Sequence, residues 1–215
     1  MRLAILLFPG FTALDAVGPY EMLGQLPGAE TLFVAERPGP VTNDNGNLTL
    51  VAEASLDDVT DPGIVVVPGG PTARLPLTPG PVQDWLKTVD AGTTWTTSVC
   101  TGSLVLGAAG LLAGRRATTH WLSLDHLAAY GAQPTGERVV IDGKYVTAAG
   151  VSSGIDMGLT LLGRIAGDRV AQSVQLLTEY DPQPPYDAGS PEKAPADLVA
   201  EWRARQQEIM NRQAR

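Results

Sequence analysis

The sequence TTWTTSVCTGSLVLGAAGLL, residues 93–112, decides the fold because it joins a strand pattern to a helix pattern through one short turn. Thr93–Val99 is rich in residues that favour strands, and Gly102–Leu112 is rich in Leu, Ala and Gly, which predicts a helix buried on most sides. Cys100 stands in the turn between them, like the nucleophile of a strand-turn-helix elbow. The unpaired N–H groups at the start of the helix are expected to stabilise a thiolate and to lower the pKa of Cys100.

Cys100 is the only cysteine of the chain. A lone cysteine is most often buried and chemically inert, so its position in the turn is the argument for a nucleophile. A single thiol excludes an internal disulfide and any zinc site built from several cysteines, and it suits a reducing compartment. We therefore expect a cytoplasmic protein.

Outward from this segment, short apolar runs alternate with stretches long enough for amphipathic helices. The alternation predicts βα units and an α/β fold with a mostly parallel sheet. Turn signals at Asn45-Gly46 and Asp142-Gly143 predict two hairpins within it. The other predicted strands include Arg2–Phe8, Thr31–Ala35 and Ile64–Val67, and the other predicted helices are Ala13–Leu23, Pro81–Ala91, Ser123–Tyr130 and two core helices, Ser153–Ile165 and Asp168–Tyr180.

The length of 215 residues fits one domain with a substantial core. We predict a single domain over residues 1–215, with an irregular Pro-rich segment at 181–196 and a polar helix at the C-terminal end. The net charge of −8 argues against a nucleic-acid partner, which would require clustered Lys and Arg. No apolar stretch approaches the roughly 20 residues that span a bilayer and no targeting signal is visible, so no membrane partner is expected.

Three glycine-containing turns each follow an apolar strand, and they are Pro9-Gly10, Pro68-Gly69-Gly70 and the turn at Cys100. Open α/β sheets bind ligands at the carboxyl ends of their strands, where these turns are expected to gather. The backbone N–H groups of Gly69 and Gly70 can approach a ligand with no Cβ in the way. They are therefore candidates for binding negative charge that develops on a substrate.

Asp15 is the first candidate for an acid that serves the thiol. It lies about one turn into the first predicted helix, between Leu14 and Ala16. A charged residue among apolar ones either caps a helix or faces a pocket, and this position is late for a cap. A partly desolvated carboxyl with a raised pKa can move protons to and from a nearby thiol. Glu21 is a second candidate, although a solvated helix surface explains it at least as well.

His120 and His126 are the only histidines. Cysteine hydrolases usually place a histidine base beside the nucleophile, but here Thr101 follows Cys100. His120 follows a short predicted strand and either lines the site or has a structural role beside Trp121. The scarcity of histidine favours chemistry in which no amine is expelled and a carboxyl carries the protons.

The whole chain resembles the ThiJ/PfpI branch of the class I glutamine amidotransferase-like superfamily. The segments that carry the resemblance are, in chain order, LLFPGFTALDAVGPYE, VVVPGG, SVCTGSLVLGAAGLLAGRRATTHW and TAAGVSSGIDMGL. The tail TEYDPQPPYDAGSPEKA is similar to that of isonitrile hydratases, which add water to R–N≡C to give an N-substituted formamide. The resemblance implies a flavodoxin-like three-layer sandwich, a homodimer, and no metal or organic cofactor.

Position by position, the resemblance implies that Cys100 is the nucleophile, Asp15 its acidic partner and Thr101 the residue after the nucleophile. It places Gly69, Gly70 and the Thr101 amide where the superfamily binds developing negative charge. The implied function is the hydration of a small-molecule isonitrile through a covalent thioimidate on Cys100.

Two alternatives share this scaffold. One is a glyoxalase-like hydratase of α-oxoaldehydes, which would use the same thiol and acid, although Thr101 and the tail favour the isonitrile. The other is a non-catalytic domain that senses a ligand or responds to oxidation of Cys100. Regulators with this fold usually add a helix-turn-helix module, for which the residues after Tyr180 leave no room.

Overall fold

The computed structural model describes residues 1–71 and 74–213, with side chains described up to residue 209. The strands, in chain order, are β1 (Arg2–Leu6), β2 (Glu30–Ala35), β3 (Gly39–Thr42), β4 (Thr49–Ala52), β5 (Ala54–Ser55), β6 (Ile64–Val67), β7 (Trp95–Val99), β8 (Arg116–Ala117), β9 (Gln133–Pro134), β10 (Val139–Asp142) and β11 (Tyr145–Ala148). The helices are α1 (Ala13–Leu23), α2 (Pro81–Asp90), α3 (Gly102–Ala108), α4 (Ser153–Ala166), α5 (Asp168–Leu177) and α6 (Ala196–Gln213), together with a 3-10 helix at Trp121–Tyr130.

The central sheet has seven strands in the order β10-β11-β7-β6-β1-β2-β5. Neighbouring strands are parallel except β10 and β11, which form an antiparallel hairpin around Asp142-Gly143. All four residues of β6 are buried, as expected for a central strand that is covered on both faces. The predicted α/β fold with a mostly parallel sheet is therefore confirmed.

Helices cover both faces of this sheet. The strand order puts β2 on one side of β1 and puts β6 and β7 on the other. Crossover connections between parallel strands are right-handed, so α1 lies on one face while α2 and α3 lie on the opposite face. Helix α4 packs against α1 and shares its face. The result is the three-layer sandwich that the resemblance implied.

The predicted hairpin around Asn45-Gly46 is also present. Strands β3 and β4 pair antiparallel and form a separate two-stranded sheet. The hairpin is joined to the loop after β1, because the Gly10 amide donates to the carbonyl of Thr42 over 2.9 Å. The hairpin therefore lies beside the turn that leads into α1.

Three predicted helices differ by more than one residue from those observed. Helix α3 ends at Ala108 rather than Leu112, because Gly110 adopts a φ of 81°, which breaks the helical path. The stretch predicted as the helix Ser123–Tyr130 belongs to the 3-10 helix. The prediction of a core helix at Asp168–Tyr180 was wrong in extent and burial. Among the residues of α5 only Val174 is buried, so this helix lies at the surface of the fold.

The chain forms two compact units, Met1–Thr178 and Glu179–Arg215. The first contains the central sheet, and in the second residues 181–195 contain no helix or strand before α6 begins. The single domain over residues 1–215 stays a prediction. Within the part of the chain that the structure describes, no helix combines the length and the apolar character needed to cross a membrane.

Candidate active site

The turns that follow β1, β6, β7 and β11 meet at one edge of the sheet, because these four strands are parallel neighbours. Hydrogen bonds join them in pairs. The Thr12 amide donates to the Gly69 carbonyl over 2.8 Å, and the Cys100 amide donates to the Ala149 carbonyl over 2.9 Å. The predicted gathering of the glycine turns at the carboxyl ends of the strands is therefore confirmed.

Cys100 occupies a strained backbone conformation between β7 and α3. Its φ of 57° lies in the left-handed region, which non-glycine residues rarely adopt. Its amide is shared between the carbonyls of Ala148 and Ala149, at 3.1 and 2.9 Å, and its carbonyl accepts the hydroxyls of Ser103 and Thr119. These bonds hold the elbow in place at the edge of the sheet, where Cys100 is 6% exposed.

Two glycines allow the turns to approach one another this closely. A Cβ on Gly69 would lie 2.6 Å from the backbone nitrogen of Thr101 and 2.9 Å from Oδ2 of Asp15. A Cβ on Gly102 would lie 2.1 Å from the carbonyl oxygen of Val67. Neither contact is possible for a side chain, so glycine is required where the β6 turn crosses the start of α3.

Asp15 reaches the same place from α1. It is fully buried, and its Oδ2 accepts the Gly69 amide over 3.0 Å. Its Oδ1 accepts no hydrogen bond from any N–H or O–H group of the described residues. The nearby Cys100 thiol also acts on the carboxyl and lowers its pKa. The structure therefore brings Cys100 and Asp15 together. It leaves Oδ1 of Asp15 buried and without a hydrogen-bond partner among the described residues.

The surroundings of Asp15 favour its protonated form. Burial raises its pKa to about 7, and the charge of Asp44 acts in the same direction. The hydrogen bonds from Gly69 and Cys100 oppose this rise. A carboxyl that titrates near neutral pH can both accept and return a proton, which is the property needed of a general acid and base.

The pKa of Cys100 departs from the sequence-based expectation. Burial raises it, and the negative charge of Asp15 raises it further. The amides of Val151 and Thr101 point at the sulfur and oppose the rise without overcoming it. The predicted lowering was wrong, because a short helix N-terminus acts on the sulfur more weakly than burial and a neighbouring carboxylate.

The amides of Gly69 and Gly70, expected to bind negative charge on a substrate, already have partners within the protein. The Gly69 amide donates to Asp15, and the Gly70 amide donates to the Thr101 hydroxyl over 2.9 Å. That hydroxyl donates in turn to the Gly70 carbonyl over 2.7 Å. Their hydrogen bonds orient Asp15 and Thr101, and this changes the role that the sequence predicted for them.

His120 lies at the rim of this edge. A Cβ on Gly150, next to Val151, would lie 2.8 Å from the His120 ring. Burial lowers the pKa of His120, and its Nδ1 accepts the Leu122 amide over 3.4 Å, so the ring is held neutral. Glu21, the second candidate acid, is exposed on α1 while Asp15 is buried. Of the two candidate acids, Asp15 is therefore the one that lies beside the thiol.

Sequence reasoning missed three contributors to the site. Val151 supplies an amide to the sulfur, Thr119 holds the carbonyl of Cys100, and Asp44 acts on Asp15 through its charge. The segment TAAGVSSGIDMGL carried the resemblance, but its pattern alone does not show that a backbone amide within it faces the thiol. Among the described residues, no group of three or more His, Cys, Asp or Glu side chains could hold a metal ion.

Comparison with known proteins defines the class. The model of the DJ-1/PfpI family matches residues 1–164, so the chain belongs to the DJ-1/PfpI family. The isonitrile hydratase of Pseudomonas putida is 43% identical over 205 residues, which cover 95% of this chain and 90% of that enzyme. A ThiJ/PfpI family protein from Pseudomonas syringae superposes with a TM-score of 0.93 at 40% identity, covering 96% of this chain and 86% of the other.

A relative of another kind shows the breadth of the family. The HTH-type transcriptional regulator CdhR of Pseudomonas aeruginosa is 32% identical over 185 residues, which cover 79% of this chain and 52% of the regulator. The same fold therefore occurs in a protein named as a regulator and in one named as a hydratase. The fold alone therefore does not define the function, which depends on the residues of the site.

Proposed function

We propose that this protein is an isonitrile hydratase, a hydro-lyase that converts R–N≡C and water to the formamide R–NH–CHO. The observation that carries the proposal is the buried Asp15 carboxyl, with an open oxygen, against the Cys100 thiol. The similarity to the Pseudomonas putida enzyme over nearly the whole chain supports the same assignment.

The first step joins the sulfur to the substrate. Asp15 accepts the thiol proton as the Cys100 sulfur adds to the terminal carbon of the isonitrile, and the pair needs no other base. As the new S–C bond forms, one π pair of the C≡N bond moves to the nitrogen, the carbon keeps the lone pair that it already carried, and Asp15 gives the proton to that carbon. The product is the thioimidate R–N=CH–S on Cys100, and the carboxylate is regenerated.

The second step adds water. Asp15 accepts a proton as the water oxygen attacks the thioimidate carbon, and that proton passes to the nitrogen, giving R–NH–CH(OH)–S. The S–C bond then breaks with loss of the hydroxyl proton, which returns to the sulfur through Asp15. The formamide leaves and the free thiol is restored, so every atom of one water molecule is accounted for.

The site suits this reaction better than amide hydrolysis. Expelling an amine usually requires an acid such as a protonated histidine, and the pKa of His120 is lowered by burial. Isonitrile hydration expels no amine, and one carboxyl that titrates near neutral pH is sufficient for each transfer. This distinction favours hydration over a protease or amidase activity.

We extend the proposal to the surroundings of the enzyme. A single cysteine without a disulfide partner and the net charge of −8 fit a cytoplasmic protein that does not bind nucleic acid. The substrate is a small-molecule isonitrile, and the family resemblance supports a homodimer. Sedimentation of the purified protein tests the dimer, which a monomer at micromolar concentration would contradict.

The test of the function is turnover of several isonitriles of different bulk, with formamide measured by mass spectrometry. In ¹⁸O-labelled water the label should enter the formamide oxygen. The Cys100→Ala variant should fold with the same melting temperature and should produce no formamide. Formamide production by that variant at a rate near that of the unmodified protein would overturn the covalent scheme.

A second substrate separates the nearest alternative. Methylglyoxal is supplied under the same conditions, and lactate is measured. Turnover of isonitriles with no lactate supports the proposal. Production of lactate without formamide would contradict the proposal and favour a glyoxalase-like hydratase of α-oxoaldehydes.

A further inference from the structure

A series of hydrogen bonds connects Asp15 to a second acid, Asp44, which lies in the loop of the β3–β4 hairpin. Thr12 donates its hydroxyl to Oδ2 of Asp44 over 2.7 Å, and its amide donates to the Gly69 carbonyl over 2.8 Å. The Gly69 amide then donates to Oδ2 of Asp15 over 3.0 Å. Asp44, Thr12, Gly69 and Asp15 thus form one path from the β3–β4 hairpin to the catalytic carboxyl.

Thr12 precedes α1 and is placed to cap it, but its side chain makes no capping bond. A threonine at this position usually accepts an amide from the first turn of the helix. Here the hydroxyl donates to Asp44 instead, so its geometry serves the hairpin contact rather than the helix. The contact with Asp44 would be unexpected if Thr12 only stabilised the start of α1.

Asp44 is itself held firmly. Its amide donates to the Phe11 carbonyl over 2.9 Å, its Oδ1 accepts the Asn45 amide over 2.8 Å, and its carbonyl accepts Arg74 over 3.3 Å. Hydrogen bonds from Thr12 and Asn45 therefore hold both oxygens of the Asp44 carboxylate in place. A fixed charge in a partly buried place acts on its neighbours more strongly than a mobile one in water.

We propose that Asp44 is a positioning residue, which fixes the start of α1 through Thr12 and thereby directs the Asp15 carboxyl at Cys100. The inference rests on the proposed function where it concerns turnover. It assigns a role in the reaction to the loop of the β3–β4 hairpin, which carries Asp44.

The charges around Asp15 agree with this role. The Asp44 charge from the hairpin raises the Asp15 pKa, and the Cys100 thiol, from the turn after β7, lowers it through a hydrogen bond. Arg74 binds the backbone of Asp44 rather than its carboxylate. Glu21, on α1 itself, is exposed. Removing the Asp44 charge should therefore lower the pH at which Asp15 loses its proton.

The experiment measures the rate at which iodoacetamide alkylates Cys100 as a function of pH. The chain has one cysteine, so the reaction reports this thiol alone. In the unmodified protein the rate should rise with a midpoint near pH 7 as Asp15 becomes a base. The Asp44→Asn variant keeps the shape of the side chain and should move the midpoint to lower pH. The pH profile of kcat/KM with an isonitrile should move in the same direction.

Glu53→Gln is the matched control, because it removes the same charge from an exposed residue that follows β4. Its midpoint should equal that of the unmodified protein. Thr12→Val should lower the plateau rate of alkylation about tenfold through loss of one hydrogen bond to a charged group, and Thr12→Ser should restore it. Restoration by Thr12→Ser would assign the effect to the hydroxyl that donates to Asp44, because Thr12→Val removes that group and keeps the branched shape of the side chain.

An Asp44→Asn midpoint that stays in place or rises would overturn the role of the charge. An unchanged plateau in Thr12→Val would overturn the positioning path. Alkylation does not depend on isonitrile turnover. If the midpoint shifts while no isonitrile is hydrated, the role of Asp44 stands and the proposed function fails.

Discussion

The protein contains two buried or nearly buried aspartates at opposite edges of one sheet, and their surroundings differ in every respect. Asp15 lies at the carboxyl edge with one oxygen bonded to Gly69 and the other open. Asp90, at the end of α2, lies at the amino edge, where its oxygens accept the hydroxyls of Thr96 and Tyr145 at 2.7 and 2.8 Å. Among the residues that the structure describes, a cation lies beside Asp90 and none forms an ion pair with Asp15.

That cation is Lys144, whose ammonium lies 3.2 Å from Oδ2 of Asp90. Tyr145 completes the cluster as a donor, because burial and the Asp90 carboxylate raise its pKa to about 12 and keep the phenol protonated. A carboxylate with all its partners stabilises a fold, whereas a carboxylate with an open oxygen is available for chemistry. Asp90 therefore has the partners expected of a structural acid, and Asp15 has the unpartnered oxygen expected of a reactive one.

The largest expected effect follows from substitution of the reactive acid. Asp15→Asn should lower kcat for isonitrile hydration about 10³-fold, because the amide cannot carry the proton between sulfur and carbon. The measurement is initial-rate kinetics, with circular dichroism to establish that the fold is kept. A loss of less than about threefold would remove Asp15 from the proton path and would contradict the distinction drawn between Asp15 and Asp90.

The same variant should change how stability depends on pH. The Asp15 pKa is about 7 in place of an ordinary 3.8, so the folded protein binds this proton more tightly than the unfolded chain. The stabilisation is complete below about pH 3.8 and is lost as pH rises through 7, in total up to about 4 kcal/mol. Urea unfolding between pH 4 and 8 should show this decline in the unmodified protein.

The Asp15→Asn variant supplies the reference for that measurement, because every other titrating group is common to both proteins. The difference in unfolding free energy between variant and unmodified protein should shift in favour of the variant as pH rises from 4 to 7. A constant difference across this range would mean that Asp15 is solvated.

Substitution of Asp90 should reduce the stability of the fold and leave isonitrile turnover almost unchanged. Asp90→Asn should lower the free energy of unfolding by about 2 kcal/mol, because Lys144 loses its ion pair and one hydroxyl loses its acceptor. Isonitrile turnover at a temperature where the variant is folded should stay within about twofold. Urea unfolding and initial rates measure the two properties. A variant that is stable but inactive would contradict the assignment of Asp90 to the fold.

The smallest expected effect comes from one neutral donor in the same cluster. Tyr145→Phe removes the hydroxyl that donates to Asp90 and should cost about 1 kcal/mol of unfolding free energy. The loss should be smaller than that of Asp90→Asn, since the ion pair with Lys144 remains. Equal losses for the two variants would show that the phenol, rather than the carboxylate, organises this edge.

Much of the fold could be predicted because its signals are local. The parallel sheet followed from alternating apolar runs and turns, and α1 was predicted with both its ends, Ala13 and Leu23. Cys100 and Asp15 were found because a thiol in a strand-to-helix turn and a charge within an apolar helix are visible in the sequence. These signals do not require knowledge of what packs against them.

The rest depends on contacts between distant parts of the chain. No local pattern places Asp44 beside Thr12, or the Val151 amide at the sulfur. The direction of the Cys100 pKa was wrong because the sequence shows the helix start but not the degree of burial. The exposure of α5 was missed for a related reason, since an apolar helix pattern does not reveal which of its faces the fold will cover.

The use of the Gly69 and Gly70 amides within the protein has a consequence for chemoselectivity. Hydrolysis of an ester or amide builds negative charge on a carbonyl oxygen, and such charge needs preorganised donors that are free to receive it. Here these two donors are already occupied by Asp15 and Thr101. An isonitrile instead develops its charge on a carbon that is protonated at once. The enzyme should therefore leave the esters and peptides of its surroundings intact, although Cys100 is its proposed nucleophile.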